Sequence, residues 1–268
     1  SQGTDRRETM IRPWIWSICL VAVGCNAPSP LPDMQPGEVG RVTKIIDGDG
    51  LILDTGQNVR LISIQAPVLA PRDDDPEPYA GESARALEDM ALGRRVQLFY
   101  PGITRDRYDR ALAHVVTIDA AGPTVWLNRA MVEQGAARVR LYGSTSARGQ
   151  DLLRTETEAR DAERGLWRRS DYAIRDVRQF DGSERGYFLV EGILGAEITI
   201  NTEAEDDQRY APACHRMLEE ASLVLKVDKD ARSACGFEAG ATVRLRGWVT
   251  NGVLSLRHPW HLQSRTAD

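Results

Sequence analysis

Residues 42–64 read VTKIIDGDGLILDTGQNVRLISI, and this stretch decides the fold. Three short runs rich in Val, Ile and Leu are separated by two turn-forming clusters, Asp47-Gly48-Asp49-Gly50 and Thr55-Gly56-Gln57-Asn58. Aliphatic and β-branched side chains suit a half-buried pleated surface, while Gly, Asp and Asn suit tight reversals, so the pattern is a β-meander. Taken alone, Asp-Gly-Asp-Gly is a hairpin turn selected for backbone geometry.

Downstream the period changes. Ala84, Leu87, Ala91 and Leu92 recur at helical spacing within YAGESARALEDMAL (79–92), and Gly93 stops the run. Strands RVQLFY (95–100) and LAHVVTI (112–118) follow, then a helix over 124–135 and another over 146–164. The last has Ser146 as N-cap, a Glu156/Arg160 pair at i,i+4, and Gly165 beyond its end. Five strands and three helices over residues 37–170 predict an α+β domain built on a small closed barrel. From 171 to 268 the pattern is mostly β, with YFLVEGIL, EITI, SLVLKV, TVRLRGWVT and VLSLRH as strands. This predicts a second small β-domain, for which an OB-like barrel is one fit.

The chain has 268 residues, 42% hydrophobic and 27% charged, enough to bury a core and unlike a disordered tail or a membrane bundle. A net charge of −5 excludes a broad basic face that coats duplex nucleic acid, so any such contact must be local. WIWSICLVAVG (14–24) is uncharged, too short for a spanning helix and of signal-peptide length, and it follows Met10 and Arg12. It ends on Cys25 in a pattern resembling a bacterial lipobox. The expectation is a signal over 1–25 with Cys25 lipidated, a Pro-rich tether over 26–36, and export to the bacterial envelope with a membrane anchor. A plain signal peptide is the alternative. An exported chain that keeps Cys214 and Cys235 favours a disulfide between them.

Four segments, VTKIIDGDG, VRLISIQAPV, DRYDRALA and MVEQGAARV, stand in order before a helix closing in RGLW. Together they resemble the thermonuclease (staphylococcal nuclease) family. The resemblance implies a five-stranded OB-type barrel with three helices, and calcium-dependent hydrolysis of phosphodiester bonds in single-stranded or duplex DNA or RNA. It implies calcium ligation by Asp49 and, at the position of a second ligating Asp, by Gln65. Arg60 and Arg110 match the two catalytic arginines that stabilise the phosphorane, a task suited to a fixed, permanently charged fork. Arg107 and Tyr108 match substrate contacts to a terminal phosphate, and Tyr142 is a rim candidate without a motif match.

The departures concern activity. Where the family has Asp, Thr, Pro, Glu, this chain has Gln65, Ala66, Pro67 and Val68. Gln65 loses a charge that tunes calcium affinity, and Val68 cannot accept a proton. Asp73, Asp74, Asp75, Glu77 and Glu82 follow in an acidic loop, either as a substitute carboxylate folded back or as a solvated surface. Asp109 replaces a family glycine and is set to pair with Arg110 or Arg107. In the C-terminal region, Trp248 and Trp260 are stacking platforms or core residues, with core favoured. The spacing of Cys214, His215, Cys235, His258 and His261 matches no familiar zinc site. Two functions remain: a phosphodiesterase, or an inactive nuclease fold that binds nucleic acid, another phosphate ligand or an envelope protein.

Overall fold

The 42–64 meander forms three strands, β1 (Gln35–Asp47), β2 (Gly50–Leu53) and β3 (Asn58–Leu61). A short β4 (Ile64–Gln65) continues from them. After α1 (Ala80–Ala91) come β5 (Arg95–Tyr100) and β6 (Ala111–Thr117), and the barrel closes in the order β1-β2-β3-β6-β5. β3 runs parallel to β6 and every other pairing in the barrel is antiparallel. Alternation turns Leu51, Leu53, Val59, Leu61, Val96 and Leu98 into the lumen, all essentially without solvent contact. α1, α2 (Leu127–Glu133) and α3 (Gly149–Asp161) cover it, with Leu87, Met131 and Leu152 in the same core. The computed structural model describes residues 29–69, 75–200 and 211–265. The signal segment, Cys25, Asp73 and Asp74 lie outside them.

Several boundaries differ from the sequence reading. α2 is shorter than 124–135, and α3 starts after Arg148, which takes a left-handed φ of 60° with no side-chain cap. Ser146 is therefore not the N-cap. The Asp47–Gly50 reversal does not use left-handed glycines at 48 or 50. Instead a Cβ at Gly48 would collide with the Ser83 side chain and come within 2.7 Å of the Ala66 methyl, so this glycine permits close packing on α1.

The C-terminal half repeats the architecture. β8 (Arg175–Asp176) leads into β9 (Gly186–Ile198), followed by β10 (Cys214–Leu218), β11 (Val224–Val227), β12 (Thr242–Thr250), β13 (Val253–Leu256) and β14 (Leu262–Ser264). β9, β10, β11, β13 and β12 join in sequence, and β12 pairs back onto β9 to make a barrel-like ring. Strand order matches the first barrel, including the parallel third and fifth strands, β11 and β13. β10 is missing from the sequence reading because its Arg216 is buried, donating to the carbonyls of Gly195, Cys235 and Phe237. Such a strand shows no polar–apolar alternation. Cys214 and Cys235 form a disulfide with Cα atoms 6.1 Å apart.

The described residues from Leu31 onward pack as one compact unit. The two barrels meet along β7 (Arg138–Val139), which pairs with β4 on one edge. Its other backbone groups are satisfied by side chains. Glu156 Oε1 accepts the Val139 N–H at 2.7 Å, the Tyr187 hydroxyl donates to the Val139 carbonyl at 2.8 Å, and His261 Nε2 accepts the Leu141 N–H at 2.9 Å. Arg246 on β12 also donates to that carbonyl and grips Glu156 on α3 through two nitrogens, at 2.9 and 2.6 Å. The expected Glu156/Arg160 surface pair is thus a long contact of 3.9 Å beside a buried bridge to the second barrel.

Candidate functional site

A cleft of about 830 Å³ opens where β3, β4 and the 103–112 segment face the second barrel. Among the described residues five arginines line it, Arg60, Arg107, Arg110, Arg140 and Arg257, against three aspartates, Asp47, Asp106 and Asp230. Such an excess of guanidinium groups in a concave surface favours an anionic, multiply hydrogen-bonding ligand.

Aspartates place two of these arginines and aromatic rings two others. Arg60 leaves β3 opposite Gly50 and pairs with the buried carboxylate of Asp49. Burial pushes its guanidinium down to about 10, still cationic at neutral pH, with Asp47 opposing that shift. Arg110 is held by Asp106, which accepts both its backbone N–H at 3.0 Å and its Nε at 2.8 Å. Arg107 lies over the Tyr108 ring, 4.7 Å from its centroid, with Tyr108 61% exposed at the rim. Asp109 pairs with neither Arg110 nor Arg107: it faces Arg105 at 4.0 Å and takes a left-handed φ of 60°, the backbone that a glycine adopts freely.

Arg140 follows β7, its N–H bonded to the Ser63 carbonyl, and its guanidinium donates to Gln65 Oε1 at 2.7 Å. Arg60 donates to the same oxygen at 3.3 Å. The rings of Tyr142, Trp248 and Tyr187 surround Arg140 at 5.1, 5.3 and 5.7 Å. Sequence reasoning passed over Arg140, Arg257, Asp47 and Asp230. The available signal for Arg140 was the basic–aliphatic alternation of Arg138-Val139-Arg140-Leu141, which marks a strand whose basic side chains share a face. Trp248 lines the cleft and Trp260 is 37% exposed, so neither is the core residue expected.

Calcium takes six to eight oxygens, and the donors at Asp49 and Gln65 do not fit it as they are folded. One Asp49 oxygen faces Arg60 and the other accepts the Ala66 N–H at 2.7 Å. The Gln65 oxygen is engaged by two guanidinium groups while its amide donates to the Ala66 carbonyl. Asp47 lines the cleft with one oxygen accepting the Asp49 N–H, and burial raises its carboxyl against the pull of Arg60 and Arg110. Among the described residues no group of three or more His, Cys, Asp and Glu side chains could hold a metal. Of the loop carboxylates, Glu77 turns back onto the Val68 N–H at 2.8 Å and Glu82 faces Arg85. Neither substitutes for the missing ligand.

The chain's relatives agree with the first barrel. The family model described as staphylococcal nuclease homologue matches residues 58–169. The thermonuclease of Staphylococcus hyicus is 25% identical over 135 residues, covering 47% of this chain and 74% of that protein. The thermonuclease of Staphylococcus intermedius is 28% identical over 136 residues, covering 50% and 78%. The family-model match takes in Arg60, Gln65, Arg107, Tyr108, Arg110 and Arg140 but starts after Asp47 and Asp49, and it ends before β8.

Proposed function

We propose that this chain, which carries a thermonuclease-like domain, binds a nucleic-acid strand by its phosphates in the inter-barrel cleft and hydrolyses its phosphodiester bonds slowly. Nuclease-type phosphodiester chemistry belongs to the domain at family level. The observation that carries the reading to this cleft is the convergence of five arginines on one concave surface. Arg60 and Arg110, each anchored by an aspartate, are fixed forks able to oppose charge developing on a phosphoryl group. Arg107 and Tyr108 form the rim against which a terminal phosphate or the next nucleotide lies. Val68 stands where the family has a proton acceptor, and losing a general base costs about 10²–10⁴ in rate. Calcium, used by the resembled family, has no fitted donor set among the described residues.

The direct test is release of acid-soluble product from single-stranded DNA and RNA, beside Arg60→Ala/Arg110→Ala. Slow release abolished in the double variant supports hydrolysis. No release above that variant with any divalent metal removes turnover and leaves the second reading, a binding protein of the same fold, which Gln65 and Val68 favour.

Export and lipidation of Cys25 form a separate proposal. The apolar run ending at Cys25 supports it, and the Cys214–Cys235 disulfide suits an oxidising compartment. Metabolic labelling with a fatty-acid analogue, lost in Cys25→Ser, is the expected result; labelling that survives the substitution refutes the assignment.

A further inference from the structure

Arg140 and Gln65 make an unusual pair of choices. Two guanidinium groups share one amide oxygen, at 2.7 and 3.3 Å. A carboxylate at residue 65 would neutralise part of that charge, whereas the amide satisfies one donor from each arginine without adding a negative charge beside the Asp49 carboxylate that already pairs with Arg60. Arg140 has no carboxylate within 4.0 Å among the described residues, so its charge is directed at the cleft. Its planar fork carries five N–H donors, of which the Gln65 bond uses one. Three aromatic rings hold it, and two of them, Tyr187 of β9 and Trp248 of β12, belong to the second barrel. The backbone on either side of Arg140 is itself tied to the second barrel, at Val139 by Tyr187 and Arg246 and at Leu141 by His261.

We propose that this cleft recognises the phosphates of a single nucleic-acid strand without a divalent cation, with Arg140, held by Trp248 of the second barrel, supplying beside Arg60 the positive charge that a metal would otherwise supply. This rests on the reading of the cleft as a phosphodiester site and names how that site is charged. It also gives the second barrel a role: it completes the cleft by fixing a cation that the first barrel cannot hold alone. A neutral Gln65 follows, since an acidic residue there would compete with the phosphate for both arginines.

The test is fluorescence anisotropy of a labelled oligothymidylate with the full chain, at constant ionic strength, in excess chelator and in millimolar calcium. The affinities are expected to agree within about twofold, and calorimetric titration with calcium alone to show no saturable binding. Arg140→Ala is expected to weaken binding roughly tenfold and to reduce the slope of log K against log salt by about 0.7, the loss of one phosphate contact on a single strand. Gln65→Asp, which leaves Arg140 and its aromatic cage in place, should weaken binding in chelator by a similar factor. Affinity that disappears in chelator and returns with calcium overturns the inference while leaving the phosphodiester reading standing. Unchanged affinity and salt slope in both folded variants overturns the role given to Arg140. Absence of binding by the folded wild-type chain in both media removes the phosphodiester reading and this inference with it.

Discussion

Replacing Glu156 by Ala should cost more stability than any surface carboxylate in the chain. Glu156 is fully buried, and it receives two charge-assisted hydrogen bonds from Arg246, whose side chain is only 5% exposed. It also accepts the Val139 N–H at 2.7 Å. Removing it leaves a guanidinium stranded between two barrels and a buried N–H without its acceptor. Breaking one side of such a pair costs about 3–5 kcal/mol, because the remaining charge keeps its desolvation penalty and loses its compensation. With a urea m-value of about 2 kcal/mol/M, the midpoint should fall by about 2 M, read by circular dichroism. Glu156→Leu/Arg246→Met is the control: it removes both charges and should lose less than Glu156→Ala, retaining only the cost of the unsatisfied Val139 N–H, about 1–3 kcal/mol, since the Val139 carbonyl keeps the Tyr187 hydroxyl. A midpoint shift under about 0.5 M for Glu156→Ala would refute the reasoning, since it would mean that Arg246 finds water or another partner at no cost.

Acidification should weaken the fold through two buried histidines. Burial pushes His114 down to about 3, and burial with neighbouring Arg246 and His258 lowers His261 far below its ordinary value. The unfolded chain therefore takes up protons below about pH 6.5 that the folded chain refuses, so each histidine removes about 1.4 kcal/mol per pH unit as pH falls, until its folded value is reached. Urea midpoints at pH 7.5 and 5 check this, and an equal midpoint at both would contradict it. Reduction, or Cys214→Ser/Cys235→Ser, reopens a loop of sequence separation 21 and should cost about 3 kcal/mol on loop entropy, seen as a lower midpoint in the presence of reductant. Gly48→Ala forces a methyl into Ser83 and should cost about 1–3 kcal/mol by overpacking; a neutral result would mean that α1 shifts freely.

The barrels were legible in the sequence because a strand's period is local. The 42–64 meander, α1 and most strands of the second half follow from alternation and turn residues within a few positions of each other. Arg60 and Arg110 were singled out by their places in motifs that resemble the thermonuclease family, and in the structure strand β3 and the 106–110 turn carry both to the same cleft. What escaped was decided at a distance. Arg216 sits in a strand yet is buried, because three carbonyls from other segments meet it. Glu156 looks like half of a surface pair with Arg160 until the second barrel brings Arg246 to it across 90 residues. Arg140, the residue after β7, becomes a cation of the cleft with no carboxylate partner among the described residues only when Gln65 and Trp248 converge on it from either side. Sequence alone determined most of the strands and the three helices, because those depend on near neighbours, and the resemblance of its motifs singled out Arg60 and Arg110. Tertiary structure decided where charge is neutralised and where it is left over, because the free energy of a buried charge depends on the partners that folding brings within a few ångströms.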